Sequence, residues 1–143
     1  MKTEKDYPRV FARIDLDAVR NNLEEIHRVI QQETKVIAVI KTDGYGHGAV
    51  PIARDVEHLP YLWGFAVATS QEGIVLRKHG IRKPILILGR SFAVEYEQIV
   101  EWNLQPAVCS YEAAEQLSQI AKNKNKELQL HIKIDTGTVS YTH

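Results

Sequence analysis

Lys41 stands where an apolar run of residues ends and a glycine-rich turn begins. The run covers residues 36–40, and the turn that follows carries Tyr45, His47 and three glycines. A continuous β-branched run is typical of a strand buried in a parallel sheet, and such sheets bind ligands at the carboxyl ends of their strands. A lysine that is partly desolvated there can act as a Schiff-base nucleophile. The pattern predicts the attachment chemistry of pyridoxal 5'-phosphate.

The spacing around this lysine resembles the cofactor-lysine motif of the alanine racemases, which are fold-type III pyridoxal-phosphate enzymes. Residues 41–48 carry it as K-x-x-x-Y-G-H-G, a pattern far more specific than a single lysine. Three further segments resemble parts of that family: residues 13–23 its opening strand and first helix, residues 84–89 its third barrel strand, and residues 131–137 the strand with a second lysine. The resemblance covers residues 10–137, which is most of the chain.

The resemblance implies a function and assigns roles to four residues. Lys41 would attach pyridoxal 5'-phosphate and then act as the catalytic base for one enantiomer of the substrate. Tyr45 would bind the cofactor phosphate, and Leu88 would contact the cofactor ring. The implied reaction is the interconversion of L- and D-alanine, which supplies D-alanine for the cell wall. In such enzymes a tyrosine from a separate β-domain serves the opposite face of the cofactor.

Lys133 corresponds by this resemblance to a lysine that is carbamylated in many alanine racemases. A carbamate is an anion and needs a neighbouring cation, which the family supplies as an arginine in the pattern D-T-G-x-x-R. Here residues 135–137 read D-T-G, but Ser140 stands at the arginine position. Because an unpaired buried charge is costly, two states stay open for Lys133, a carbamate or an uncharged or solvated lysine.

Ordinary structural roles are the alternatives for these residues. Lys41 could be a solvated lysine at a strand end, Tyr45 a packing residue, and Leu88 part of the core. His47 fits a hydrogen-bonding role in the turn, and no partner at metal-ligand spacing predicts a metal site. Cys109, the only cysteine, rules out an intrachain disulfide and is predicted to be a small buried hydrophobe.

Strands alternating with helices predict an α/β fold, specifically an incomplete (β/α)₈ TIM-type barrel. About five parallel strands are expected, near residues 36, 63, 84, 105 and 128, with an earlier strand over residues 10–16. The fourth of the five is expected over residues 105–108 and the fifth over residues 128–134, and a helix is expected over residues 93–102. Asp17, Ser70 and Ser110 are the expected helix caps. A barrel alone needs about 250 residues, so residues 1–143 are interpreted as the N-terminal part of the cofactor-binding barrel domain, without the β-domain.

Composition limits the partners. Eighteen basic and eighteen acidic residues give a net charge of zero, so neither nucleic acid nor an anionic membrane is indicated. The start lacks the features of a signal peptide, which predicts a cytoplasmic protein. The resemblance implies a small amino acid as the substrate. Exposed barrel edges predict self-association. The isolated chain is expected to be inactive or weakly active. The alternatives are a fragment of a serine or other amino-acid racemase, and a non-enzymatic pyridoxal-phosphate-binding barrel remnant.

Overall fold

The structure, a computed structural model, describes residues 10–134 and forms them into an α/β sheet of five parallel strands. The strands lie in the order β1-β2-β3-β4-β5, so each pairs only with its neighbours in the chain. They are β1 (Val36–Val39), β2 (Leu62–Val67), β3 (Ile85–Ile87), β4 (Gln105–Val108) and β5 (His131–Ile132). Within the described residues β1 and β5 are the two edges and the sheet stays open. The predicted partial barrel is confirmed.

Helices connect the successive strands. Helix α1 (Leu16–Val29) precedes the sheet, and the short α2 (Lys41–Tyr45) and α3 (Ala49–Val56) join β1 to β2. Helix α4 (Ser70–Lys78) follows β2, a 3₁₀ turn (Ala93–Glu95) and α5 (Tyr96–Glu101) follow β3, and α6 (Tyr111–Asn123) follows β4. The Ser110 side chain accepts a hydrogen bond from the amide of Ala113 at 3.2 Å, which confirms the predicted cap of α6.

The two faces of the sheet differ in what covers them. Ile85 of β3 is fully buried and faces α4, since a Cβ built on Gly73 of that helix would lie 3.4 Å from it. Side chains alternate along a strand, so Val39 and Leu88 lie on the opposite face, where they are 42% and 36% exposed. We call this second face the open face. Its strand residues include Ile37, Val39, Leu86, Gln105, Ala107 and His131. Leu88 continues the ladder of β3, and Lys41 follows β1 at the same end of the sheet.

The strand predicted over residues 10–16 is wrong. Residues 10–15 form no strand, and Leu16 already begins α1. A lone strand is not stable in water, and no strand of the described region lies beside this segment to pair with it. The cap of α1 also lies two residues before the predicted one, because the Asp15 side chain accepts from the amide of Ala18 at 3.1 Å. Asp17 instead lies in the first helical turn.

Three other predicted boundaries differ. Thr69, not Ser70, caps α4, because its extended backbone (φ −130°, ψ 161°) lets its side chain accept from the amide of Glu72. The helix expected over residues 93–102 begins with a 3₁₀ turn. The strand expected over residues 128–134 pairs only at His131 and Ile132, because β5 is an edge strand with β4 as its one neighbour in the described sheet.

Candidate active site

The turn that follows Lys41 is left-handed. Thr42, Asp43 and Gly44 have φ/ψ values of 51°/49°, 53°/48° and 63°/39°, and Tyr45 has φ 55°. The amide of Gly44 donates to the carbonyl of Ile40 at 2.9 Å, so the turn is hydrogen-bonded as well as left-handed. The backbone therefore changes from an extended strand to a left-handed turn close after β1, with the first left-handed residue directly following Lys41.

This backbone conformation is unfavourable for residues that carry a side chain. A left-handed conformation costs roughly 1–2 kcal/mol per L-residue other than glycine, and Thr42, Asp43 and Tyr45 all adopt it. Contacts between the turn and the rest of the fold must offset that cost. In one of them, Oδ1 of Asp43 accepts a hydrogen bond from the amide of Ala49 at 2.8 Å. Because the N-cap of α3 is a glycine without a side chain, Asp43 takes over its capping role.

A second contact comes from Glu72 in the first turn of α4. Its Oε1 accepts from the amide of Thr42 at 2.7 Å, and its Oε2 accepts from the amides of Ala68 at 2.7 Å and Thr69 at 3.3 Å. One carboxylate therefore joins the turn after β1 to the segment after β2. The spacing that singles out Lys41 and Tyr45 gives no site role to Glu72 or Asp43. The pattern T-x-x-E at residues 69–72 is a capping-box signature that could have drawn attention to Glu72.

The amine of Lys41 is available for chemistry. Lys41 is partly buried two residues beyond the end of β1, and within residues 10–134 no hydrogen bond or ion pair engages its ammonium group. Its backbone carbonyl accepts a hydrogen bond from Thr42 Oγ1 at 2.7 Å. The main chain at Lys41 is thus held while its side chain stays free, which is the arrangement a covalent attachment site requires.

Tyr45 and His47 occupy the same turn with different contacts. Tyr45 is 59% exposed, and its hydroxyl has no hydrogen-bond partner among the described residues. The Nδ1 atom of His47 lies 3.1 Å from the carbonyl oxygen of Tyr45, in keeping with the structural role predicted for this histidine. Among residues 10–134, nothing lies within 4 Å of the position of a Cβ on Gly46, so this part of the structure leaves the backbone of the turn open to a ligand.

Leu88 and Lys133 lie at the same end of the sheet as Lys41. The amide of Leu88 donates to Val67 at 2.9 Å and that of Lys133 to Val108 at 2.8 Å, so both residues continue the strand ladders at their carboxyl ends. Lys133 is exposed, and three strands separate its strand from that of Lys41. Residues 135–137 and Ser140, on which the carbamate argument depends, lie outside the described residues.

A hydrogen-bonded group on the open face links β4 to β5. Gln105 Nε2 donates to Gln129 Oε1 at 2.7 Å, and His131 Nε2 lies 2.9 Å from Gln105 Oε1. The ring of Trp63 meets that of His131 edge-on, with 5.8 Å between their centroids. His131 therefore has defined partners on the open face.

A cleft of about 370 Å³ lies beside this end of the sheet, between the segments that follow β3 and β4. Cys109 lines it and is exposed, so the prediction that Cys109 is buried is wrong. The reason is its position one residue beyond β4, outside the cover of the helices. Arg90 borders the same cleft, with its guanidinium 5.7 Å from the ring centroid of Phe92.

These features fit the cofactor that the resemblance implies. Pyridoxal 5'-phosphate needs an amine to react with its aldehyde and hydrogen-bond donors for its phosphate. Lys41 offers a free amine, Tyr45 a free hydroxyl, and the backbone at Gly46 open space. The chemistry of the donor set therefore fits, with Tyr45 as the one side-chain hydroxyl without a partner that the described residues place in the turn beside Lys41.

An open parallel α/β sheet with helices between its strands defines a partial barrel, a class of fold that binds ligands at the carboxyl ends of its strands. Comparison with known proteins identifies the family. The family described as "Alanine racemase, N-terminal domain" matches residues 14–139, and the chain belongs to it. The relatives carry the name of an isomerase.

The similarity extends to both sequences and solved structures. The alanine racemase of Synechocystis is 40% identical over 130 residues, which cover 90% of this chain and 35% of that protein. That of Geobacter sulfurreducens is 41% identical over 126 residues, covering 88% and 33%. The structure of Clostridium difficile 630 alanine racemase in complex with cycloserine gives a TM-score of 0.81 at 38% identity, covering 85% of this chain and 32% of that one. The Bacillus anthracis enzyme with bound L-Ala-P gives 0.77 at 31% identity, covering 90% and 34%.

The chain spans about a third of the length of these relatives. Among residues 10–134, no helix combines the length and the apolar character needed to cross a membrane. The cytoplasmic location stays a prediction.

Proposed function

We propose that the chain forms the N-terminal part of the barrel domain of an alanine racemase and binds pyridoxal 5'-phosphate through a Schiff base to Lys41. The reaction would interconvert L- and D-alanine and supply D-alanine for the cell wall. The observation that carries the proposal is the free amine of Lys41 just past the end of β1, next to a left-handed turn whose backbone is open to a ligand. Membership of the family supports the choice of reaction.

Each residue of the site would have one task. The bound cofactor supplies an electron sink that makes the α-proton of an amino acid acidic. The Lys41 Nζ atom removes or returns that proton on one face. The hydroxyl of Tyr45 donates to the phosphate, and Leu88 lies against the ring from the end of β3. The base for the opposite face is, by the resemblance, a tyrosine of the β-domain.

Lys133 keeps two proposed states. It lies on an exposed strand end of the same open face, where a carbamate would be stable only beside a cation. Intact-mass measurement under bicarbonate, followed by peptide mapping, would distinguish a carbamate at Lys133 from a solvated amine. A mass of 44 Da above the free lysine is the mark of the carbamate, by the formula of carbon dioxide.

Self-association is part of the proposal. The edge strands β1 and β5 have unpaired backbone groups within the described sheet, and the open face exposes Ile37 at 39% and Val39 at 42%. Unpaired edges and apolar faces favour association. Size-exclusion chromatography with light scattering at increasing concentration is expected to show oligomers, and a folded monomer throughout would contradict this.

One alternative function is that of a barrel remnant, which would bind the cofactor without turning over an amino acid. A serine or other amino-acid racemase is the remaining alternative. Racemisation of L-alanine against L-serine by the purified chain would separate these functions. Weak or absent turnover by the isolated chain is the expected result.

The first experiment measures where the cofactor attaches. The chain is mixed with pyridoxal 5'-phosphate, its absorption spectrum is recorded, and borohydride reduction with mass mapping identifies the modified lysine. We expect one dominant adduct at Lys41, which the Lys41→Ala variant loses. The control is Lys35→Ala, which removes an exposed lysine just before the same strand. Indiscriminate labelling, or equal losses in both variants, would refute the proposed site.

A further inference from the structure

The carboxylate of Glu72 accepts a hydrogen bond from the peptide group that follows Lys41. That peptide group consists of the Lys41 carbonyl and the Thr42 amide. Its carbonyl accepts from Thr42 Oγ1 at 2.7 Å, and its amide donates to Glu72 Oε1 at 2.7 Å. Since the peptide group is planar, holding both of its polar atoms fixes its orientation and so the backbone of Lys41.

We propose that Glu72 is a positioning residue for Lys41, because its carboxylate holds the left-handed turn through which the lysine amine is presented. The hydrogen bond to Glu72 holds the turn whether or not a cofactor is bound, whereas the effect on cofactor attachment rests on the proposed function. Glu72 is 30 residues from Thr42 in the sequence, so the turn cannot supply this contact for itself. The hydrogen bond from the Thr42 amide to Glu72 offsets part of the free-energy cost of the left-handed backbone at Thr42 and Asp43.

A second glutamate in the fold has the same arrangement without reaching Lys41. Glu95 lies at the third position of the 3₁₀ turn, where its Oε2 accepts from the amide of Phe92 at 2.7 Å. Its Oε1 accepts from the hydroxyl of Ser70, which follows β2. Each glutamate thus joins its own cap to the segment after the preceding strand. Glu95 is therefore a matched control for every effect of Glu72 that is merely a matter of capping.

The first test needs no cofactor. Amide hydrogen exchange is measured by mass spectrometry on the full chain for the peptides covering residues 41–48. In Glu72→Ala the exchange of these amides is expected to rise by about tenfold or more, from the loss of a charge-assisted hydrogen bond. Glu95→Ala is expected to leave the same peptides unchanged. Thr69→Ala, which removes the other half of the capping box, is expected to affect only the start of α4.

The second test is cofactor labelling of the same variants. The fraction of reduced pyridoxal 5'-phosphate adduct at Lys41 is expected to fall several-fold in Glu72→Ala and to stay unchanged in Glu95→Ala. Glu72→Gln keeps the side-chain volume but offers only one acceptor oxygen, so it should give an intermediate loss. Circular dichroism checks that each variant is folded, and Glu72→Gln replaces Glu72→Ala if the latter is not.

The outcomes separate this inference from the proposed function. Faster exchange together with a selective loss of label at Lys41 supports the inference. Unchanged exchange at residues 41–48 overturns it, and so does faster exchange with unchanged labelling, since Glu72 would then be a structural residue only. If the unaltered chain shows no preference for Lys41, the proposed function fails, while faster exchange in Glu72→Ala would still support the role of Glu72 in holding the turn.

Discussion

Arg77 is expected to stabilise the fold from the end of the sheet that lies opposite the candidate site. Its guanidinium donates to four backbone carbonyls, those of Ile81 and Lys83 at 2.8 Å, Asn103 at 2.9 Å and Trp102 at 3.0 Å. These carbonyls belong to the segments that lead into β3 and β4. One side chain therefore joins the end of α4 to the starts of two strands.

The size of the effect follows from these four bonds. A hydrogen bond to a charged group contributes roughly 1.5–3 kcal/mol net, but four bonds from one half-buried group do not add fully, and water can reach the freed carbonyls. We expect Arg77→Ala to lower the free energy of unfolding by about 3 kcal/mol. For a domain of this size, that is a fall in Tm of about 10 °C.

The assay is urea unfolding followed by circular dichroism, with Arg54→Ala as the control. Arg54 is exposed, and both of its hydrogen bonds reach a single carbonyl, that of His79. Its removal should cost less than about 1 kcal/mol. Burial lowers the pKa of Arg77, with Glu57 opposing the shift, yet an arginine stays charged at any working pH. The difference should therefore be constant from pH 6 to 9. A cost in Arg77→Ala no larger than in Arg54→Ala would refute the reasoning.

Four further substitutions test other contacts. Tyr61→Phe removes a buried hydroxyl that has no partner among the described residues, so the free energy of unfolding should be unchanged or rise by up to about 1 kcal/mol. Because burial raises the pKa of Tyr61, the unfolded chain loses this proton first, and stability should decline as the pH rises above about 10; denaturant titrations should show that decline reduced in the Phe variant. Gly64→Ala would place a Cβ against the carbonyl oxygen of Pro84 and should cost about 3 kcal/mol or more. Gly80→Ala meets no atom within 4 Å and has φ 89°, so a thermal melt should show only backbone strain of about 1–2 kcal/mol. Ser110→Ala removes the cap of α6 and should cost about 1 kcal/mol in the same melt; no measurable cost would contradict that cap.

The sequence predicts those parts of the fold that depend on local pattern. Apolar runs identified all five strands, and β4 was predicted over residues 105–108, as observed. The predicted strand over residues 10–16 failed because pairing, unlike apolar content, depends on a neighbour that the described chain does not provide. The prediction that Cys109 is buried was wrong for a related reason, since its exposure depends on its position one residue beyond the end of β4.

The candidate site divides in the same way. The glycine-rich turn and the lysine before it could be predicted, because both lie in one short segment. The left-handed conformation of Thr42 and Asp43 could not, because neither residue type demands it and a distant glutamate helps to hold it. The position of Leu88 on the open face followed from the alternation of side chains along β3. The roles of Lys41, Tyr45, Leu88 and Lys133 toward a cofactor stay predictions.

The hydrogen bonding of polar side chains differs between the two ends of the sheet. At the amino end Lys83 Nζ donates to the carbonyls of Leu59 and Leu62, and Glu57 Oε1 accepts from the amide of Lys83 at 2.9 Å. At the carboxyl end the amine of Lys41 and the hydroxyl of Tyr45 have no such partners among the described residues. In barrels the first kind of end contributes stability and the second binds ligands. Glu72 differs from Lys41 and Tyr45, because both of its carboxylate oxygens accept hydrogen bonds although it lies at the same carboxyl end of the sheet. Its removal should therefore change the backbone of the site more than the stability of the whole fold, whereas the removal of Arg77 should do the reverse.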